Sequence, residues 1–97
     1  MTATISSEVL ASYAADAARE VGGVRGLVES ALTRHKGVRI VTDDGRVRVE
    51  LHLAIDWGVS IPDVGREVQR GVAAYLQRMA NVKPDAVDVV VDEIGSP

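Results

Sequence analysis

The strongest constraint on the fold is a strict alternation of apolar and polar residues behind a predicted hairpin turn. Apolar side chains occupy every second position from Val47 to Ile55, and charged, polar or small ones stand between them. Successive side chains of a strand point to opposite faces, so this pattern predicts a long strand with one buried and one solvated face. Asp44-Gly45 is a strong hairpin signal, and it pairs the long strand with Val38–Thr42.

Two main helices are predicted from apolar residues that recur at steps of three and four. The first follows Ser6, an N-cap candidate because its hydroxyl can accept a free amide of the first turn, and it ends at Gly22-Gly23. The second begins after Ser60 with Pro62 in its first turn, and it ends near Asn81. Much of the first helix's apolar stripe is alanine, so that helix can lie close to whatever it covers.

Three further elements complete the predicted order. Thr4-Ile5 is predicted as a very short strand, Leu27–Thr33 as a weak second helix, and Val87–Ile94 as a last strand. A strand, a helix and a strand in succession form a crossover, so the long strand and the last strand should be parallel neighbours or near neighbours. The sequence therefore predicts one α+β domain over residues 1–97: a small mixed β-sheet with two main helices layered on one face, in the order (β)-α-(α)-β-β-α-β.

Composition excludes several classes of function. The 97 residues include no cysteine, which rules out thiolate zinc sites and cysteine nucleophiles. Eleven Lys and Arg against 14 Asp and Glu give a net charge of −3, which argues against charge-driven binding of duplex nucleic acid. Three aromatic residues supply a base-stacking surface poorly. No secretory signal or membrane-spanning apolar segment is visible, so we expect a cytoplasmic protein.

A charged group on the long strand is the candidate catalytic or metal site. Glu50, His52 and Asp56 share one strand face, but neighbours two residues apart lie about 7 Å from each other, which predicts no direct contact without a bend. The other histidine, His35, stands at a helix–strand junction, and a solvated face with charge pairs to Arg39 is the favoured interpretation. No nucleophile elbow, phosphate-binding loop or paired-histidine motif occurs. We therefore predict no catalytic residue, no metal and no cofactor.

A G-x-x-G tetrapeptide offers the alternative function. Gly23, Arg25 and Gly26 belong to a segment between two predicted helices, the place where a KH domain grips an RNA backbone. The stretch Arg19–Arg39 carries five basic and two acidic residues. A single-stranded nucleic-acid-binding module is thus the second hypothesis. Nine glycines make the spacing easy to obtain by chance, and a helix stop followed by a loop glycine is the favoured interpretation.

Trp57, Arg66 and Arg70 are the candidate partner-binding residues. Trp57 follows the long strand, and tryptophan is over-represented at interface hot spots, although folding back over the core is an equally good interpretation. Arg66 and Arg70 belong to the outer face of the main helix, where a basic stripe can meet an acidic partner or anionic lipid. Pairs with Asp63 and Glu67 at i,i+3 are instead typical of a solvated helix face, which we favour.

Four stretches of the chain carry a family resemblance. The segment Asp56–Val64, with the sequence D-W-G-V-S-I-P-D-V, resembles the central motif of the alkaline shock protein family. These are the envelope stress response proteins of Gram-positive bacteria, also called general stress proteins. Ile5–Leu10, Glu20–Gly26 and Met79–Val91 agree with the family pattern in the same order. The resemblance covers nearly the whole chain.

The resemblance implies a small non-enzymatic protein that associates with the inner face of the cell membrane through partners and self-assembles. It implies a role in cell-envelope homeostasis, with a small membrane protein among the candidate partners, and it transfers no catalytic residue. It also explains the G-x-x-G as a family turn, which weakens the nucleic-acid hypothesis. The leading prediction is a cytoplasmic, membrane-associated scaffold that forms homo-oligomers.

Overall fold

The computed structural model describes residues 5–30 and 36–97. Their two helices and four strands follow in the order α1 (Ser7–Arg19), β1 (Val24–Leu27), β2 (Val38–Asp43), β3 (Arg46–Ile55), α2 (Ile61–Ala80) and β4 (Ala86–Ile94). The strands form one mixed sheet, and both helices pack against the same face of it. The predicted α+β class is confirmed.

β3 is the central strand of the sheet. β2 pairs antiparallel with its first half and β1 antiparallel with its end, so these two strands share one edge of β3. β4 pairs parallel with β3 along the other edge, from Arg48 opposite Ala86 to Ile55 opposite Ile94. The predicted parallel neighbours are confirmed, and β3 and β4 end at the same end of the sheet.

Local sequence signals fix the ends of both helices. Ser6 and Ser60 each accept a hydrogen bond from the backbone amide three residues later, at 3.2 and 3.3 Å. Asn81 ends α2 in the left-handed conformation. After α1 the chain turns at Gly23, which has φ +95°, and a Cβ there would lie 2.8 Å from a methyl of Val64. A residue with a side chain would be strained at this position and would also collide with α2.

The core lies between the helices and one face of the sheet. Every second residue of β3 from Val49 to Ile55 is at most 1% exposed, as the alternation predicted. α1 contributes mainly small side chains, which let it approach the sheet closely. The other buried residues are Leu10, Ala11, Ala14, Ala15, Ala17, Ala18, Val38, Val64, Val68, Val72 and Leu76.

The structure corrects the region after α1. The weak helix was predicted to begin at Leu27, but Val24–Leu27 forms β1, which pairs with the end of β3. The reason is that β3 extends beyond β2, and the unpaired backbone groups of its last residues gain partners from this segment. A weak helical propensity does not compensate for that gain. Residues 31–33 of the predicted helix and Thr4 lie outside the described residues, and Ile5 belongs to no strand.

Candidate partner-binding surfaces

Large apolar side chains reach solvent where β3 and β4 end. Trp57 is 60% exposed in the turn between β3 and α2, and Val59 and Ile61 are 37% and 38% exposed. Ile94, 53% exposed, lies at the same end because it pairs with Ile55. We call Trp57, Val59, Ile61 and Ile94 the Trp57 end. The tryptophan does not fold back over the core, so its ring is available for contact.

A small groove of about 230 Å³ runs between α2 and β4 and begins at Ile61. Its walls are mainly apolar and come from Ile55, Ile61, Pro62, Val89 and Val91. Arg66 and Gln69 line the same groove from α2, and Arg66 forms an ion pair with Asp63. Both side chains of that pair are more than 60% exposed, so the pair holds the arginine only weakly.

Arg70 lies in a different and larger groove, of about 800 Å³, between α1 and α2. We call it the α1–α2 groove. Its floor consists of small or apolar residues: Ala17, Val21, Gly22, Gly71, Ala74 and Tyr75. Charged residues stand along its two sides: Asp16 and Glu20 next to α1, and Glu67, Arg70 and Arg78 on α2. The three predicted partner-binding residues therefore occupy two surfaces, with Arg66 beside the Trp57 end and Arg70 in the α1–α2 groove.

The second face of the sheet is polar, and no described element covers it. We call it the open face; it presents Arg39, Val41, Arg48, Glu50, His52, Asp88, Val90 and Asp92. Arg48 and Asp88 form an ion pair of 3.0 Å between β3 and β4. The predicted cross-strand neighbours Arg39 and Glu50 lie opposite each other.

His52 is held between two carboxylates on the open face. Its Nε2 lies 2.9 Å from Oε2 of Glu50, and its Nδ1 lies 2.7 Å from Oδ2 of Asp92. The expectation that Glu50 and His52 do not touch is corrected. The spacing of about 7 Å applies to the backbone, and two long side chains that lean together close it. An irregularity in β4 after the Leu53 pair adds Asp92 as an extra residue, and this bulge brings its carboxylate to the ring.

Two carboxylates at the two ring nitrogens favour a protonated histidine. A neutral imidazole has one donor and one acceptor nitrogen, whereas the imidazolium donates from both. The hydrogen bond to Glu50 raises the pKa of His52, and the hydrogen bond and charge of Asp92 act in the same direction, against the opposing effect of partial burial. His52 is therefore suited to join β3 to the edge strand β4.

Sequence reasoning missed Asp92 and the α1–α2 groove. Asp92 falls within the predicted last strand, but its position next to the His52 ring depends on the strand register and on the bulge. The groove depends on how closely α1 and α2 approach each other. The alanines of α1 permit a close approach, but they do not determine the distance between the two helices.

The profile of the alkaline shock protein 23 family, described as a family with a cell envelope-related function, matches residues 1–96. The chain belongs to this family. It is 28% identical over 95 residues to the uncharacterized protein YqhY of Bacillus subtilis (strain 168), which covers 88% of this chain and 70% of YqhY. It is 30% identical over 98 residues to the uncharacterized protein Spy1535 of Streptococcus pyogenes serotype M6, covering 93% and 76%. The predicted resemblance is confirmed.

Solved structures share the fold of this alkaline shock family chain. A MamM-CTD variant superposes with a TM-score of 0.62 at 16% identity, over 94% of this chain and all of the other. The manganese form of another MamM-CTD variant gives a TM-score of 0.58 at 17% identity, over 89% and 96%. At this identity the likeness shows a common arrangement of helices and strands.

In this family member, Glu50, His52 and Asp56, the candidate group that the sequence analysis weighed, are not brought together. Asp56 lies four residues beyond His52, about 13 Å along the strand direction, while both ring nitrogens of His52 face Glu50 and Asp92. Within residues 5–30 and 36–97, no three acidic or histidine side chains are placed to hold a metal ion. His35 lies outside the described residues.

The family turn at Gly23–Gly26 does not form the loop that a KH-like site requires. Gly26 pairs with Ala54 inside β1, so the segment is bounded by a helix on one side and belongs to the sheet on the other. The side chain of Arg25 packs over Gly95. Because Val24–Leu27 is a strand of the sheet and not a loop, the predicted nucleic-acid geometry is corrected. Neither α1 nor α2 has the length and apolar character needed to cross a bilayer.

Proposed function

We propose that this alkaline shock family protein is a non-catalytic scaffold of cell-envelope homeostasis. It acts in the cytoplasm at the inner face of the cell membrane, binding a protein partner and associating with copies of itself. The observation that carries the proposal is the Trp57 end. Single exposed apolar residues are ordinary, but a group of them around a 60% exposed tryptophan is typical of an interaction site. The family's envelope-related description supports the place of action.

The surroundings of the Trp57 end suggest the chemistry of the partner. The groove between α2 and β4 offers an apolar wall that includes Val89 and Val91, with Arg66 beside it. Among the described strands, only β3 pairs with β4, so the outer edge of β4 can accept an added strand beyond the Val87 carbonyl, which already accepts a hydrogen bond from Gln69 Nε2. The partner segment that fits is extended and apolar, with an acidic residue next to Arg66.

Site-specific photo-crosslinking in cells of the source organism tests this proposal. A photoreactive phenylalanine derivative replaces Trp57 in one strain and Lys83, an exposed residue of the α2–β4 connection, in a matched control strain. We expect a discrete adduct with an envelope protein, identified by mass spectrometry, from position 57 and not from position 83. The proposal fails if position 57 gives no adduct, or gives the same adducts as position 83.

A further inference from the structure

The two sides of the α1–α2 groove carry charges of opposite sign. Asp16 and Glu20 line the α1 side, and both are exposed. Arg70 and Arg78 line the α2 side and are also exposed. Glu67 is the one acidic residue on the α2 side of the lining, and it pairs with Arg70 at 2.6 Å. The groove therefore presents an acidic side and a mainly basic side to any molecule that enters it.

The charged residues of the two sides lie at similar heights along the groove. The helices run antiparallel: the rings of Tyr13 and Tyr75 are 5.9 Å apart, and a Cβ on Gly71 would lie 3.9 Å from a methyl of Val21. Glu20 lies one residue from Val21 towards the tyrosines, and Arg70 lies one residue from Gly71 in the other direction, so their heights differ by about 3 Å, which two long side chains can span. Asp16 falls between the levels of Arg70 and Arg78.

We infer that the α1–α2 groove is the contact by which two copies of this chain associate face to face. The inference rests on the self-association part of the proposed function and names its surface. A two-fold axis along the groove places α1 of one copy over α2 of the other and keeps every residue at its own height. Glu20 of each copy then faces Arg70 of the other, twice per dimer. The surface is therefore complementary to itself, because the acidic side of each copy meets the basic side of the other. Such a surface suits a second copy of the same chain.

Charge also selects the orientation of the two copies. A two-fold axis across the groove would place α1 over α1, so that Asp16 and Glu20 of one copy would face the same residues of the other. Like charges brought together cost free energy, and the Arg70 and Arg78 sides would repel each other in the same way. The arrangement along the groove avoids both repulsions and sets antiparallel helices against one another.

The groove can accept this contact without disturbing the fold. The pairs Arg70–Glu67 and Arg19–Asp16 join side chains that are 44 to 71% exposed, and such pairs hold their members weakly. Arg78 lies 5.2 Å from the centre of the Tyr75 ring. Because the floor contains Ala17, Gly71 and Ala74, helices of a second copy can approach closely.

The size of the surface indicates a reversible dimer. The 13 residues of α1 span about 20 Å at a rise of about 1.5 Å per residue, and the two helices together are about 20 Å wide. Such a face is smaller than the roughly 800 Å² per partner of a standard stable interface. We therefore expect association that increases with protein concentration and weakens with added salt, since exposed charges are screened.

The test is a charge-reversal exchange measured by sedimentation equilibrium on the full chain. Glu20→Arg and Arg70→Glu should each weaken the dimer at least about tenfold, because each places two pairs of like charges in contact. In a mixture of the two variants, the arginine at position 20 of one variant faces the glutamate at position 70 of the other, and the unchanged Glu20 and Arg70 form the second pair. Dimers of mixed composition should therefore form with affinity near that of the wild type. Native mass spectrometry with one variant isotope-labelled identifies those mixed dimers.

Arg48→Glu is the matched control. It makes the same charge change, breaks an exposed ion pair with Asp88, and lies on the open face, outside the α1–α2 groove. We expect it to leave the dimer within about twofold of the wild type, as is usual for a change away from the contact. Circular dichroism confirms that each variant is folded, and the salt dependence of the wild type tests the contact without any substitution.

The outcomes separate this inference from the proposed function. If both charge reversals leave the dimer affinity unchanged, or if the mixture of variants does not restore association, the α1–α2 contact is wrong. Self-association would then occur through another face. A chain that stays monomeric at every concentration contradicts this inference and the self-association part of the proposed function together. Adducts at Trp57 report on the protein partner independently of either result.

Discussion

The two faces of β3 are held together by different physics. On the helix side, Val49, Leu51 and Leu53 have no exposed surface and belong to the apolar core cluster. On the open face, the alternate residues of the strand meet charged partners: Arg48 forms an ion pair with Asp88, and His52 bridges two carboxylates. One strand of ten residues thus belongs to a packed core on one side and to a network of ion pairs on the other.

The contrast between the two faces shows which face supplies the stability of the fold and which face tolerates changes of charge. Burial of apolar surface contributes roughly 25 cal/mol per Å², whereas exposed ion pairs typically contribute less than about 1 kcal/mol each. The helix side therefore decides whether the chain folds. The open face can change its charges at low cost, and its ion pairs add selectivity of pairing between β3 and β4 more than they add stability.

The largest effect on stability should come from creating a cavity on the helix side of β3. Leu51→Ala removes a fully buried side chain and should lower the free energy of unfolding by about 2–5 kcal/mol, because transfer and cavity terms add. Val41→Ala on the open face, where the side chain is 36% exposed, should cost less than about 1 kcal/mol. Urea denaturation measures both, and similar losses for the two variants would show that the faces do not differ as described.

The second effect concerns the link between the end of α1 and α2. Gly23→Ala introduces a Cβ 2.8 Å from a methyl of Val64 and keeps φ at +95°, so it should cost about 1–3 kcal/mol. Gly26→Ala, in the same G-x-x-G, has no atom within 4 Å of the added Cβ and should be nearly neutral. Thermal unfolding of the pair decides the point. Equal destabilisation would mean that the tetrapeptide acts as one unit.

The elements with strong local signals are the ones that the sequence predicted correctly. These elements depend on residues close together in the chain, so local patterns are enough to predict them. They are the hairpin turn, the alternation of β3, and the serine caps at Ser6 and Ser60. The parallel pairing of β3 and β4 followed from the rule for crossovers. β1 could not be predicted in this way, because Val24–Leu27 is a strand only where the end of β3 needs a partner.

The candidate surfaces were only partly accessible to sequence reasoning. Exposure of Trp57 could be proposed as one of two alternatives, and the ion pairs of Arg66 and Arg70 followed from their spacing. The assignment of those arginines to two different grooves depends on the angle at which α2 crosses the sheet. The third member of the histidine cluster, Asp92, depends on a bulge that shifts the register by one residue.

The smallest effect belongs to the open face and depends on pH. Since the folded-state pKa of His52 is raised above its unfolded value of about 6.5, its contribution to stability is fully present below that pH. It is lost as the pH rises through the folded-state pKa. His52→Gln should therefore be less stable than the wild type by up to about 1 kcal/mol near pH 6, and the two should converge at alkaline pH. Urea denaturation at several pH values measures the difference in the free energy of unfolding between the two proteins. If that difference grew with pH, the predicted direction of the pH dependence would be wrong.

Titration of the His52 ring by NMR separates the two carboxylates. The charged groups around the ring are Glu50 on its own strand, Asp92 and Asp88 on β4, and Arg39 and Arg48 beside the carboxylates. Because the hydrogen bond to Glu50 is the largest cause of the raised pKa, Glu50→Gln should lower that pKa more than Asp92→Asn. Asp92→Asn should instead have the larger effect on hydrogen exchange at the end of β4, since Asp92 is the member of the cluster that belongs to the edge strand. If the two variants shift the pKa and the exchange rates in parallel, the cluster does not join β3 to β4 in the way that the geometry indicates.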